Sequence, residues 1–152
     1  MWKFEHTVEA KATPAAVWAR YTDLPSWREW YNDVSTIRVE GPIVSGVKGV
    51  IEQDPEQGHH PQPVPFTLVD VVENEGFTLE CMAPTSESGV KDETFLRTSL
   101  RAVDNGKGGV TITHSAILDG PQSAEVGEAI GKFLSTNLVL GLKRLAKVVE
   151  TA

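Results

Sequence analysis

The sequence predicts an α+β fold in which a seven-stranded, curved antiparallel sheet wraps around one long carboxy-terminal helix. The order of elements predicts it: one strand, two short helices, six further strands and a final helix. The short polar turns between consecutive strands favour antiparallel pairing. Such a sheet must bury one face, and only the last stretch, Ser123–Val149, is long enough to cover it, at about 40 Å for a continuous helix.

The amino-terminal part carries one strand and two short helices. Trp2–Lys11 alternates apolar and polar residues, which is typical of a half-buried strand. Thr13-Pro14 supplies an N-cap followed by proline in the first helical position, so a short helix is expected over Ala15–Tyr21. A second begins at Leu24. The two helices should brace the fold through five aromatic residues, Trp18, Tyr21, Trp27, Trp30 and Tyr31.

Beyond Asp33 the hydrophobic pattern changes to strand-like runs separated by turn residues. The last two runs are long and alternate cleanly between apolar and polar positions. The six strands predicted here are Ser35–Glu40, Gly46–Gln53, Pro65–Val72, Phe77–Met82, Glu93–Val103 and Val110–Leu118.

The final helix is amphipathic, and its apolar side is unusual. Three glycines, Gly127, Gly131 and Gly141, lie on that side, and each costs roughly 1 kcal/mol relative to alanine within a helix. Asn137 lies on the same side, one turn before Gly141. A face with missing side chains and a polar amide is more typical of one that borders a space than of one packed solidly. The sequence therefore predicts a cavity between the sheet and this helix.

Composition excludes several classes of protein. The 152 residues suffice for one domain, expected over residues 1–152, and are too few for two ordinary domains. A net charge of -7 argues against binding nucleic acid or an anionic membrane surface. No apolar run is long enough for membrane insertion and no signal-peptide core is present. The lone Cys81 excludes an internal disulfide and fits a reducing compartment, so a cytoplasmic location is expected.

Two motifs together with the element order resemble the START-like helix-grip superfamily (SRPBCC), which includes the polyketide cyclase/dehydrase and lipid-transport proteins. The first is ATPAAVWARYTDLPSWREWYNDV at residues 12–34, around the paired helices, and the second is VTITHSAILDG at residues 110–120, the last strand before the helix. The resemblance covers essentially the whole chain. It implies a helix-grip fold with a deep cavity, but it does not select an activity, because the superfamily spans cyclases, lipid and hormone carriers, oxygenase domains and chaperone cofactors.

The sequence also departs from some members. It lacks the Cys/His spacing of an iron–sulfur or mononuclear iron centre, and the tyrosine and arginine set of dedicated polyketide cyclases cannot be placed on it. His59 and His60 are adjacent in a loop without a third ligand at useful spacing, which favours a solvated loop over a metal site. No metal and no cofactor is therefore expected.

Two histidines are the candidate catalytic residues. His6 and His114 take inward positions on the first and last strands, which the superfamily topology makes antiparallel neighbours. If Phe4 pairs with Ala116, the two imidazoles stand opposite each other, within about 5 Å at Cβ. Such a pair disfavours double protonation, which would lower at least one pKa and provide a general base or ligand anchor near neutrality. The alternative is that each is a hydrogen-bonded core histidine.

Other residues are candidates for ligand binding. An amide and a guanidinium on the final helix could receive a carbonyl or carboxylate; Arg144 could instead reach the rim, and Asn137 could be a satisfied buried amide. Trp30 either lines the cavity mouth or braces the helices, and Cys81 is expected to be a buried, inert thiol. The full candidate set is Trp30, Cys81, Thr94, Thr98, His114, Asn137, Gly141 and Arg144.

Three functions remain open on this basis. The first is binding of a small hydrophobic ligand of lipid, polyketide or aromatic type by a monomer or homodimer. The second is a cyclase/dehydrase-type enzyme that uses cavity histidines or Asn137 for proton transfer. The third is a stress- or chaperone-associated interaction module with a closed core.

Overall fold

A computed structural model describes residues 1–31, 34–53, 63–82, 94–121 and 123–150. His59 and His60 lie outside these ranges. Within them, no helix is both long enough and apolar enough to cross a membrane. The elements are β1 (Trp2–Ala10), α1 (Pro14–Thr22), a 3₁₀ helix (Leu24–Glu29), β2 (Val34–Val39), β3 (Lys48–Gln53), β4 (Val64–Val72), β5 (Gly76–Met82), β6 (Phe95–Asp104), β7 (Val110–Asp119) and α2 (Ser123–Glu150).

The seven strands form one antiparallel sheet in the order β1-β7-β6-β5-β4-β3-β2. β2 to β7 follow one another as a meander, and β1 pairs with β7 because α1 and the 3₁₀ helix carry the chain to the opposite edge. α2 packs on β1 and β7, and the backbone N–H of Lys11 donates to Glu150 Oε2 at its end (2.9 Å). The predicted helix-grip architecture is confirmed.

Local signals in the sequence account for the starts of α1 and β3. The Thr13 hydroxyl oxygen accepts a hydrogen bond from the N–H of Ala16 (3.1 Å), which confirms the predicted N-cap of α1. The predicted third strand starts two residues too early, at Gly46. Gly46 has a φ of +96°, a left-handed conformation that belongs to the preceding turn, and β3 begins at Lys48.

The buried apolar residues form two clusters. The larger one, which we call the aromatic cluster, joins α1 and the 3₁₀ helix to the middle of the sheet and the end of α2, and includes Tyr21, Trp27, Phe77, Leu142 and Leu145. The smaller one contains Leu96, Ala116, Leu118 and Val126, with Trp2, Cys81, Leu134 and Leu138 packed against it. α2 therefore contacts packed side chains towards both of its ends.

Two of the three glycines on α2 do not border a space. A Cβ built on Gly127 would lie 2.6 Å from Trp2 Cγ, and one on Gly131 would lie 2.9 Å from the same ring. The prediction that all three glycines signal empty volume is wrong for these two, because the indole of Trp2 fills the room that their missing side chains leave.

This packing predicts an inverted glycine effect. Alanine at an interior helical position is normally favoured over glycine by about 1 kcal/mol, but Gly127→Ala should lower the free energy of unfolding by about 1–3 kcal/mol because its methyl group overlaps the base of the Trp2 ring. Chemical denaturation of single and double variants measures it. In a Trp2→Ala background the same substitution should become stabilising; stabilisation by Gly127→Ala alone would contradict the packing.

Candidate ligand-binding cavity

A cavity of about 110 Å³ lies between the sheet and the middle of α2. It falls between the two hydrophobic clusters. Its walls come from β3 to β7, from the two residues after the 3₁₀ helix, and from one face of α2. The lining residues are Trp30, Tyr31, Ile51, Val64, Phe66, Leu79, Cys81, Leu96, Thr98, Leu100, His114, Ala116, Phe133, Leu134, Asn137, Leu138 and Gly141.

The sequence places these residues through simple periodicity. Alternate residues of a strand face one side of the sheet, so Leu96, Thr98 and Leu100 of β6 line the cavity together. On α2, Asn137 and Gly141 are four residues apart and share one helical face. The predicted cavity beside Gly141 and Asn137 is present in the structure.

Most of the lining is apolar, and the polar groups are few. Thr98, His114 and Asn137 contribute a hydroxyl, an imidazole and an amide, and Trp30 and Tyr31 add ring-borne donors. No Asp, Glu, Lys or Arg is among the lining residues in the described part of the chain. Such a site is suited to a mostly apolar ligand that makes a small number of hydrogen bonds.

His114 is a polar group of the cavity wall with a hydrogen-bond partner on α1. Its Nε2 lies 2.9 Å from the hydroxyl oxygen of Tyr21 and shares a hydrogen bond with it; which group donates depends on the imidazole tautomer. Its side chain is 2% exposed, and burial lowers its pKa to about 3. Burial also raises the pKa of Tyr21, with the Arg101 charge acting in the opposite direction. Both groups are therefore uncharged at neutral pH.

The register of the two histidines is confirmed, but their expected electrostatics are not. His6 pairs directly with His114, and Phe4 pairs with Ala116. His6 is half-buried and is absent from the cavity lining, within the ranges that the structure describes. Burial, and not a second imidazole, lowers the pKa of His114. The expectation of a base poised near neutrality by the pair is therefore wrong for His114, because a pKa of about 3 leaves it a weak base.

Six of the eight residues predicted to bind ligand line the cavity: Trp30, Cys81, Thr98, His114, Asn137 and Gly141. The other two do not. Thr94 is fully buried and in phase with Leu96 and Thr98, but it lies just before the first residue of β6 and is not among the lining residues.

Arg144 is exposed, although it shares the helical direction of Asn137 two turns earlier. In the last two turns of α2 the buried face moves to Leu142, Leu145 and Val149. The direction that faces the cavity at Asn137 therefore faces solvent at Arg144. The prediction that Arg144 points inward is wrong for this reason.

Sequence reasoning missed Tyr21 as a polar partner. It assigned Tyr21 to the aromatic brace, and the ring does pack there, with its centroid 5.9 Å from those of Trp30, Phe77 and His114. Its hydroxyl nevertheless reaches the imidazole from another element. The aromatic load of the paired helices was the available signal, but it does not reveal which ring carries the hydrogen bond.

Cys81 should react slowly although it lines the cavity. Burial raises the pKa of its thiol to about 12, so very little thiolate exists at pH 8. Higher intrinsic nucleophilicity offsets part of this deficit, and we expect alkylation by iodoacetamide to be roughly 50-fold slower in the folded chain than in the same chain unfolded in guanidinium. Rates within threefold of each other would contradict the buried thiol.

The fold and cavity together define a class: helix-grip proteins, in which an antiparallel sheet holds a long helix across a largely apolar cavity. The chain belongs to the polyketide cyclase / dehydrase and lipid transport family, whose sequence profile matches residues 1–150. A search of curated protein sequences found no match.

Several solved structures share the fold. Truncated norcoclaurine synthase from Thalictrum flavum superposes with a TM-score of 0.70 at 14% identity, covering 97% of this chain and 92% of that one. The di-domain ARO/CYC BexL from the BE-7585A biosynthetic pathway gives 0.70 at 14% identity, covering 98% of this chain and 50% of that one. A Thermobifida fusca protein solved in solution gives 0.65 at 22% identity, with 98% and 93% covered. At these identities the likeness concerns the fold.

Proposed function

We propose that this protein binds a small hydrophobic ligand in the cavity between the sheet and α2. The observation that carries the proposal is the cavity itself, about 110 Å³ of space walled mainly by apolar side chains. A cavity of comparable size, about 150 Å³ in an engineered protein, binds benzene. The space also argues against the closed core on which the interaction-module hypothesis relied.

The wall explains how such a ligand would be held. Transfer of apolar surface from water stabilises the complex by about 25 cal/mol per Å², and the Leu79, Leu100 and Leu134 side chains offer that surface. The His114 imidazole and the Asn137 amide would orient the ligand through hydrogen bonds. The family description, which includes lipid transport, agrees with this role.

Two measurements test the proposal. Native mass spectrometry of the gently purified protein, followed by organic extraction, should reveal a bound small molecule. Titration with neutral one-ring compounds, followed by amide chemical shifts, should move resonances of Leu100, Ala116 and Asn137 before those of the outer face of the sheet. If no mass is retained and no neutral compound shifts these resonances at millimolar concentration, the binding function is wrong.

A second candidate is an enzyme of the cyclase/dehydrase type. The observation that favours it is the Tyr21–His114 hydrogen bond at the cavity wall, because it could relay or orient a proton beside a bound ketone. The solved structures with a similar fold include a di-domain ARO/CYC protein and norcoclaurine synthase. In this candidate the cavity shape would supply most of the positioning of the substrate.

The enzyme candidate has its own test. Incubation with a poly-β-ketone thioester mimic should give cyclised products whose distribution changes in His114→Ala. His6→Ala is the comparison, because His6 lies opposite His114 in the sheet but outside the described cavity wall. Identical product profiles with and without protein would remove the enzyme candidate and leave the binding function untouched.

A further inference from the structure

The indole N–H of Trp30 has no hydrogen-bond partner among the residues that the structure describes. The Trp30 side chain is fully buried, and its ring is part of the cavity wall. Its neighbour Trp27 shows the usual arrangement, since the Trp27 indole N–H donates to the backbone carbonyl of Tyr21 (3.0 Å). The two neighbouring tryptophans thus differ in the hydrogen bonding of their indole N–H groups. The one without a partner among the described residues, Trp30, is the one that borders the cavity.

A buried donor without a partner is unfavourable in the empty protein. Most buried polar groups in native structures are hydrogen-bonded, and each exception calls for a physical explanation. Burial without compensation destabilises the state that contains it. A bound molecule that brings an acceptor to this part of the wall removes that deficit, so its affinity gains from a group that the protein itself leaves unpaired.

The same wall disfavours charge. The described lining contains no Asp, Glu, Lys or Arg, and the His114 imidazole, which could carry a positive charge, is held uncharged at neutral pH by burial. Its hydrogen-bonded neighbour Tyr21 is uncharged as well. Arg144, the cation expected to face inward, is exposed. An ionic ligand would lose its hydration on entry and find no opposite charge to replace it.

Size restricts the ligand further. The cavity volume of about 110 Å³ is close to what one aromatic ring requires. The ring centroid of Trp30 lies 6.0 Å from that of His114, so the two rings belong to the same part of the wall. The bound ligand therefore has a compact apolar part with a hydrogen-bond acceptor attached next to it.

We propose that the cavity selects an uncharged ligand whose ring-sized apolar part carries a carbonyl-type oxygen, and that the Trp30 indole N–H donates a hydrogen bond to that oxygen. This inference rests on the proposed binding function and adds the ligand class and the residue that distinguishes it. It makes Trp30 a specificity determinant as well as part of the aromatic cluster.

Three probes of nearly equal shape distinguish the contribution of a carbonyl acceptor from the contributions of ring shape and of charge. Acetophenone carries the carbonyl, α-methylstyrene replaces that C=O by C=CH₂, and benzoate carries a negative charge at pH 7. Dissociation constants are measured by NMR titration for the wild type, for Trp30→Phe and for Trp18→Phe. The Trp18 ring packs edge-on against Phe77 (6.1 Å) and is not part of the described cavity wall, so it controls for the loss of an indole elsewhere.

We expect Trp30→Phe to weaken acetophenone binding about tenfold more than α-methylstyrene binding, since only the former accepts the indole hydrogen bond. Trp18→Phe should change both affinities by the same factor. Benzoate should bind the wild type at least about tenfold more weakly than acetophenone. If Trp30→Phe does not fold, 3-benzothienylalanine at position 30 keeps the ring shape, replaces the N–H by sulfur and gives the same comparison.

The outcomes separate the two proposals. If both neutral probes bind but Trp30→Phe weakens them equally, the hydrogen bond is refuted and the binding function stands. If benzoate binds as tightly as acetophenone, the selection for uncharged ligands is refuted. If none of the probes binds at millimolar concentration, the proposed function fails and this inference fails with it.

Discussion

Replacing Ala116 by phenylalanine should abolish ligand binding while leaving the protein folded. Ala116 is almost fully buried on β7 and lines the cavity between the sheet and α2. A phenyl ring at this position projects into a space of about 110 Å³ and occupies most of it. We expect the affinity for α-methylstyrene to fall at least about 100-fold, below detection by NMR titration. Overpacking should cost about 1–3 kcal/mol of unfolding free energy.

The matched control is Val103→Phe. Val103 is 47% exposed on β6, so a ring introduced there enlarges the outer surface and leaves the cavity unchanged. Its affinity should equal that of the wild type within a factor of two. Retention of wild-type affinity by folded Ala116→Phe would show that the ligand binds elsewhere, and the proposed site would have to be abandoned.

Acidification should destabilise the protein strongly through His114. Burial lowers its pKa to about 3 in the folded state, against about 6.5 in the unfolded chain. Above pH 6.5 neither state binds the proton, so no penalty exists. Below pH 6.5 the unfolded chain binds a proton that the folded protein does not bind. The free energy of unfolding therefore falls until the pH reaches about 3. Between pH 7 and pH 4 we expect a loss of about 3 kcal/mol from this residue.

A non-titrating variant isolates this effect. Glutamine at position 114 keeps a hydrogen-bonding group near Tyr21 and cannot take up the proton. The carboxylates contribute alike to both chains, so the difference between the two pH profiles reports His114. Urea denaturation should give a decline that is about 3 kcal/mol smaller in His114→Gln than in the wild type. Parallel profiles would show that the imidazole is not held neutral by burial.

Several features of the fold and of the cavity were predicted correctly from particular residues. Thr13 before Pro14 predicted the cap of α1, and the Thr13 hydroxyl makes it. Alternation along the first and last strands, together with the strand pairing that the superfamily resemblance implies, predicted that His6 stands opposite His114, and the register confirms it. Three glycines and an amide on α2 predicted the cavity, and of these Gly141 and Asn137 line it. Each inference needed only the periodicity of a strand or helix and the inferred topology.

The predictions that were wrong or missing depend on contacts between distant parts of the chain. Nothing near Gly127 in the sequence indicates that the Trp2 ring covers it from the first strand. The helical direction of Asn137 predicted an inward Arg144, but the contact of α2 with its neighbours shifts the buried face in its last turns. The Tyr21–His114 hydrogen bond depends on how α1 is seated over the sheet, and its two residues are 93 positions apart.

The sequence by itself determined the order of elements and most of the residues that face inward, because these follow from local periodicity, capping and turn chemistry; the pairing of the first and last strands came from the superfamily resemblance. Only the tertiary structure decided which inward residues meet empty space, which meet another ring, and which uncharged groups share the cavity wall. The physical reason is that interiors are close-packed: whether a position is filled depends on the volume and docking angle of side chains from distant parts of the chain. No local pattern encodes these quantities.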